Sequence, residues 1–319
     1  MVKILFVGDL HLSYRPPKSR IDDYFQSSLN KLDQIFEHAD GCSYVIFLGD
    51  IFHLTGRDDN QVHFVNTLIR KFSSCRVPLY SIVGNHDIAK GSIDTLPDMP
   101  LFTLFRSGAV TRLESLDFMD VKYPYTIYGY DFNKSTHDVT SNSLYSTSIG
   151  TRYIGCFHHF LHGVDSVNNE LYRSAGSEFV SSTEISKLPY HLCVLGHDHR
   201  EYFYERDSEV TGKIRFVSPG SMMRITSHNH EINKTPCIYR FTFDNGSISH
   251  EKISLDVKSP ELVYDTMITI NKEVTMAVDD LSDSFSGVTF TRFNRDDFVS
   301  SIPGQVRGFM SPYIERAGI

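Results

Sequence analysis

Five short apolar runs in this chain each stop at residues of the kinds that ligate metal ions. The runs are Ile4-Leu5-Phe6-Val7, Val45-Ile46-Phe47-Leu48, Leu79-Tyr80-Ser81-Ile82-Val83, Tyr153-Ile154-Gly155-Cys156 and His191-Leu192-Cys193-Val194-Leu195. They lead in turn into Gly8-Asp9-Leu10-His11, Gly49-Asp50, Gly84-Asn85-His86-Asp87, Phe157-His158 and Gly196-His197-Asp198-His199. An apolar run this short and this unbroken predicts a strand covered on both faces, as in the sheet of an α/β protein. Such folds keep their sites at the carboxyl ends of the strands, where all five polar segments would meet.

Taken singly, each segment has a plainer meaning. Asp-x-His is a common turn or cap, and Gly-Asn-His-Asp suits a turn because Gly and Asn both tolerate positive φ. The conjunction at five strand ends is what argues for ligands. A mixture of carboxylate, imidazole and one amide oxygen suits manganese, iron or zinc, with no thiolate required. Two such ions roughly 3.5–4 Å apart activate a water and clamp both oxygens of an in-line displacement at phosphorus. An aspartate offers two anionic oxygens to two cations, and Asp50 is the candidate bridge.

In this order, GDLH, GD, GNHD, a lone His and GHDH resemble the calcineurin-like metallophosphoesterase superfamily over about the first 220 residues. The resemblance implies that Asp9, His11, Asp50 and His199 hold one divalent ion and that Asp50, Asn85, His158 and His197 hold the other. Mn2+ is the expected metal, with Mg2+, Fe2+ or Zn2+ as alternatives. His86 would face the substrate. His158 is preferred to His159 because it directly ends the apolar run, and neighbours on a strand point to opposite sides; His159 and His162 are expected behind the ligands or at the surface. Asp87 reads as an orienting partner and Asp198 as an interchangeable spacer.

Within that superfamily, protein phosphatases carry Asp and Arg where this chain has His53 and Leu54. A histidine there resembles the SbcD-type DNA repair nucleases, as does Val217-Ser218-Pro219-Gly220-Ser221-Met222-Met223-Arg224 after the last motif. The loop from Leu12 to Tyr24 is similar to that of small phage-type members. The expected activity is therefore a DNA exonuclease or endonuclease of repair, recombination or replication. His86 is the first candidate to stabilise or protonate the departing oxygen and His53 the second, because an imidazole serves as acid or base near neutral pH. The alternative is hydrolysis of a small nucleotide or phosphoester, and a non-catalytic scaffold is disfavoured by the complete ligand set.

Charge offers DNA only local footing. The 319 residues carry a formal charge of −8 and a pI of about 6.0, so the chain as a whole repels a polyphosphate. Arg15, Lys18 and Arg20 in the first loop, and Arg224 beside the Pro-Gly-Ser turn, are the candidate phosphate contacts. Expected partners are DNA, an SbcC-type coiled-coil ATPase subunit and, as an option left open, a second copy of the chain, with no membrane partner. Five scattered cysteines without a Cys-x-x-Cys pair fit free thiols in a reducing compartment. No apolar run is long enough to be a signal or a membrane span, so the expected location is the cytoplasm, or the host's for a phage-encoded chain.

The expected fold is α/β, with two packed mixed β-sheets flanked by helices and a small α+β C-terminal appendage. Residues 1–258 would form the phosphoesterase domain and 259–319 a capping or partner-binding domain. Crossover helices are predicted at Tyr24 to Ala39 and Val62 to Phe72 from their helical spacing of apolar residues. Strands are predicted at 125–130, 214–217 and 237–243, with Asp244-Asn245-Gly246 as a tight turn before Ile248. Residues 134–148 read as an exposed loop. In the tail, strands are expected at 262–270 and 288–293 with a helix through Val274 to Phe285; nine acidic against five basic residues from Glu261 onward make it a poor DNA surface.

Overall fold

Strand β1 (Val2–Val7) sends alternate side chains into two different cores. Ile4 and Phe6 face a second sheet, whereas Leu5 and Val7 face helices. A strand covered on both sides has no solvent face, which is why its run is apolar throughout. The computed structural model describes residues 1–54, 60–132, 134, 139, 150–163, 179–226 and 229–264.

Helix α1 (Tyr24–Ala39) and helix α2 (Val62–Ser73) cross over from β1 to the parallel strands β2 (Tyr44–Phe47) and β3 (Leu79–Ser81). Both helices stand where their apolar spacing predicts. The Asp23 carboxylate caps α1 by accepting from the Gln26 N–H at 2.9 Å, and Leu32, Ile35 and Ala39 are its fully buried face. Helix α3 (Pro100–Arg106) leads to β4 (Thr111–Arg112). The first sheet runs β14-β13-β1-β2-β3-β4, with β13 (Cys237–Asp244) antiparallel to β1 and β14 (Ser247–Ser254) antiparallel to β13. The predicted turn joins the last two: Asn245 and Gly246 hold φ of 49° and 79° between the paired residues Asp244 and Ser247, the conformation a two-residue hairpin needs.

The second sheet is also mixed. β5 (Ser115–Met119), β6 (Pro124–Tyr130), β7 (Arg152–His158), β10 (Tyr190–Gly196), β11 (Tyr202–Ser208) and β12 (Gly212–Ser218) lie in the order β11-β12-β10-β7-β6-β5. The inner four are parallel and the two edges antiparallel. Between the sheets, Ile4, Phe6, Ile46 and Leu48 pack against Ile154, Cys156, Leu192 and Val194. Val7, Val45 and Phe47 join the α1 and α2 core on one outer side. Tyr153, Phe157, Cys193 and Leu195 join Ile185 of the short helix α4 (Ser182–Ile185) on the other. This is the expected architecture of two packed mixed sheets flanked by helices. A two-stranded sheet of β8 (Phe160–His162) and β9 (Phe179–Ser181) was not foreseen.

The chain divides into units of residues 1–269 and 270–319, so the first unit runs past the expected boundary at 258. Residues just beyond 258 pack back on the first loop: Ile21 N–H donates to Val263 O at 2.9 Å and Tyr264 forms a bridge with Arg20. The strand expected from 262 therefore starts as a turn, Pro260–Leu262, because those contacts hold the chain in a bend. The remainder of that strand, the other tail elements and nearly all of the 134–148 loop lie outside the described residues. Cys42, Cys75, Cys156, Cys193 and Cys237 are all free thiols. Among the described residues, no helix is long and apolar enough to cross a membrane.

Candidate metal centre

Pairing between β1 and β2 continues past their ends and draws two of the motifs together. Leu10 and His11 N–H groups both donate to Asp50 O, Leu12 N–H to Ile51 O at 2.8 Å, and His53 N–H to Leu12 O at 3.0 Å. Asp9, His11, Asp50 and His53 are thereby neighbours although about forty residues separate the pairs in sequence. The motif glycines make the remaining room. A Cβ on Gly84 would lie 2.1 Å from Asp50 Oδ1, and one on Gly196 would lie 2.7 Å from Asp9 Oδ1 and 2.3 Å from Leu48 O.

Among the described residues three groups of donors result, one of them His11, His53 and His86. Ligand atoms of Asp9, His11 and His199 lie within 4.8 Å of one another, as do those of Asp50, His158 and His197. Asp50 Oδ2 is 3.4 Å from His158 Nε2 and 3.8 Å from His11 Nε2, so it faces both of these last two groups. Asn85 Oδ1 sits 3.0 Å from His158 Nε2. His158 Nδ1 is 2.7 Å from Leu48 O; a carbonyl can only accept, so Nδ1 carries the proton and Nε2 turns to the acidic centre. His11 Nε2 and His199 Nε2 approach to 2.9 Å, a contact that needs either a shared proton or a cation between two lone pairs. The donor chemistry fits two divalent ions. His11, Asp50 and His197 also hold φ of 49°, 48° and 74°, left-handed values that cost a non-glycine residue about 1–3 kcal/mol and gather at functional sites.

Burial sets the protonation of these groups. It raises the Asp9 carboxyl to about 8, with the Asp50 charge adding to it and His158 opposing. Asp50 is buried too, yet the charge and hydrogen bond of His158 overcome that and hold it well below the usual carboxylate range. Burial lowers His197 to about 2 and both His199 and His53 to about 4. His158 goes the other way, to about 10, because the charges of Asp50 and Asp9 outweigh burial.

The other expected residues divide. His86 N–H donates to Asp50 Oδ1 at 2.8 Å, its ring stacks on His53 with centroids 5.6 Å apart, and both rings are half-buried beside His11. Asp87 orients the loops, accepting from the N–H groups of Phe52 and Gly84 at 3.1 and 3.0 Å. His159 is buried against Phe132 and enters none of the donor groups, while His162 is exposed on β8. Asp198 is no interchangeable spacer: it is buried and grips the Arg200 guanidinium through both oxygens. Arg15 and Lys18 are exposed. Arg20 and Arg224 are instead buried, contrary to their expected role at a phosphate surface. Arg20 pairs with Asp22 and donates to Arg224 O, and Arg224 donates to Ile232 O and Lys258 O. Their guanidiniums are consumed in tying the first loop to the segment before Tyr264.

Two residues near the centre escaped the sequence reading, Glu231 of the short helix α5 (Asn229–Ile232) and Lys234 just after it. Glu231 Oε1 lies 3.8 Å from His199 Nδ1 and 2.7 Å from Lys234 Nζ. No motif announces them; the sequence offers only a glutamate three residues before a lysine.

The chain is similar to known proteins at the level of the family. The family model described as calcineurin-like phosphoesterase matches residues 2–201. No curated protein matches the chain. Among solved structures, the NAD nucleotidase NadN of Haemophilus influenzae is similar at 14% identity and a TM-score of 0.49, covering 79% of this chain and 49% of its own. The purple acid phosphatase PPD1 from yellow lupin (Lupinus luteus) seeds is similar at 14% identity and a TM-score of 0.47, covering 83% and 52%. The chain spans about half the length of these two structures.

Proposed function

The chain belongs to the calcineurin-like phosphoesterase family, a phosphoester hydrolase in which we propose a specialisation for DNA: a two-metal, SbcD-type nuclease cutting phosphodiester bonds. Asp9, His11, Asp50 and His199 would hold one ion, and Asp50, Asn85, His158 and His197 the other. Mn2+ is the proposed metal, since carboxylate, imidazole and amide oxygen donors suit it. Two divalent ions supply positive charge that acidifies a water nucleophile and neutralises the phosphoryl oxygens of an in-line displacement.

The observation that carries the nuclease reading is His53, at the rim beside His86. A phosphomonoester dianion favours a bidentate guanidinium. A diester bears less charge, and its departing alkoxide needs a proton. The two imidazoles divide that work. His86 Nδ1 is 2.7 Å from His53 O and must be the donor there, so Nε2 is the nitrogen left for the substrate; a His86 imidazolium would pass its Nε2 proton to the leaving oxygen and end as the neutral Nδ1–H tautomer. His53 Nδ1 faces His11 Nδ1 at 3.5 Å; with His11 turning Nε2 to Asp50, its Nδ1–H points at His53, whose proton then sits on Nε2. Burial keeps the His53 ring neutral, which makes it a hydrogen-bond donor that positions the scissile phosphate. The Pro-Gly-Ser segment supports the same reading, for Met222 N–H donates to Asp9 O at 2.7 Å and Ser221 N–H to His199 O at 3.2 Å.

The reading places the enzyme in the cytoplasm, with DNA as substrate and an SbcC-type ATPase as partner. Its test is cleavage of end-labelled single- and double-stranded DNA in Mn2+, comparing the native chain with Asp50→Ala and His86→Ala. Stepwise shortening that both substitutions abolish is expected. Intact DNA in the presence of the ATPase partner, with turnover of a chromogenic phosphodiester, would move the substrate to a small molecule.

A further inference from the structure

We infer that Glu231, held by Lys234, is the positioning residue that fixes the His199 ring with Nε2 turned toward Asp9 and His11. The inference rests on the two-metal reading and reaches outside residues 2–201, the part of the chain that the family shares. Glu231 is 1% exposed, and each of its oxygens has a task. Oε2 accepts from the Ile225 N–H at 3.0 Å, which pins the carboxylate to the backbone after the Pro-Gly-Ser turn. Oε1 lies 2.7 Å from Lys234 Nζ and 3.8 Å from His199 Nδ1.

Lys234 closes the arrangement. Its ammonium also donates to Ser221 Oγ and reaches His199 O at 3.4 Å, so one cation joins the histidine's backbone, the turn beside it and the carboxylate facing its ring. His199 Nε2 stands 2.9 Å from His11 Nε2 and 3.7 Å from Asp9 Oδ2. An imidazole turned this way presents Nδ1 to its other side, where the Glu231 carboxylate lies 3.8 Å away, within electrostatic range and short of a hydrogen bond. A ligating histidine whose second nitrogen meets a carboxylate is held in one orientation and one tautomer and is made more basic. The ammonium has a second effect: a glutamate committed to Lys234 and Ile225 does not swing in as a ligand itself.

Glu231→Gln tests the assignment, because the amide keeps the size and the Ile225 contact and removes the charge. The native chain, freed of metal and titrated with Mn2+ alone, is expected to take up two ions. The variant should bind one of them about 10- to 100-fold more weakly and leave the other unchanged. Co2+ as a spectroscopic probe should show altered visible bands, which a merely structural glutamate would not produce. Lys234→Met, which leaves the carboxylate and removes its cation, should weaken the same ion and serves if Glu231→Gln does not fold. Native affinity at both sites with an unchanged Co2+ spectrum, in a folded variant, overturns the role of Glu231 and leaves the metal reading standing. A native chain that takes up no pair of ions overturns both.

Discussion

His53 Nδ1 stands 3.5 Å from His11 Nδ1 while the His53 ring lies stacked on His86, only 10° from parallel. One ring thus touches both a prospective metal ligand and the prospective proton donor. The division of labour proposed for the pair predicts different responses to the same substitution. Loss of a general acid in His86→Ala should lower kcat about 10²- to 10⁴-fold, and Gln should not rescue it because an amide transfers no proton. Loss of one oriented donor in His53→Ala should cost about 10²- to 10³-fold, and His53→Gln should recover part of it. Single-turnover rates on a phosphodiester, measured with saturating metal, check this. Equal failure of both Gln variants would show that His53 does more than donate a hydrogen bond.

Gly84 lies against Asp50 more closely than any side chain would allow, with Asp50 N at 2.4 Å as well as Oδ1 at 2.1 Å from a notional Cβ. The backbone atom cannot step aside as a flexible side chain would. Gly84→Ala is therefore expected to displace the bridging carboxylate, destabilise the fold by about 1–3 kcal/mol and abolish uptake of both ions. Gly41, at φ 75° with open space around it, is the control, because Gly41→Ala should cost about 1–2 kcal/mol of left-handed strain and leave metal uptake alone. Denaturant unfolding and equilibrium dialysis separate the two effects.

Asp87 carries a structural load that its place in the motif does not advertise. Its carboxylate takes the N–H groups of Phe52 and Gly84, one from each of two ligand-bearing loops. Asp87→Ala would leave those donors buried without a partner, at about 1–3 kcal/mol apiece. The variant should unfold at lower denaturant and lose metal uptake together. Full stability in a urea melt would show that water replaces the carboxylate.

The metal-binding stops were readable for a physical reason. Strands covered on both faces must be apolar throughout, and a Cβ would strike a neighbour's ligand at Gly49, Gly84 and Gly196 and the Gly220 backbone at Gly8, so these glycines mark where loops meet. Long-range contacts without such a steric signature were not readable. Arg20 and Arg224 lie in loops, where a cation usually faces water, and only the fold reveals the carbonyl oxygens that take them inward. Asp198 looked like filler until Arg200 folded back on it. Glu231 reaches His199 across 32 residues from a four-residue helix that has no sequence pattern of its own. The order of strands in the second sheet likewise depends on pairings that periodicity does not encode.

Proton competition gives the centre a pH dependence of definite sign. In the metal-free protein burial lifts Asp9 to about 8, and the charge and hydrogen bond of Asp50 outweigh burial and lift His158 to about 10. Near neutrality both therefore hold protons that a cation must expel. His197 and His199, at about 2 and about 4, are already neutral and expel none. Affinity for Mn2+ should rise from about pH 6 to about pH 9, with protons released on binding. The free protein behaves in the opposite sense. A native pKa above the unfolded value of 3.8 for Asp9, or 6.5 for His158, means that the native state binds more protons than the unfolded one. Their contribution to stability is complete below those unfolded values and is lost as the pH climbs through about 8 and about 10. The gap in Tm between metal-loaded and metal-free protein should consequently widen as the pH increases. Thermal melts across that range, together with calorimetry in buffers of differing ionisation enthalpy, measure the two halves. A gap that stayed constant, with no proton released, would mean that Asp9 is already ionised and His158 already neutral before the metal arrives.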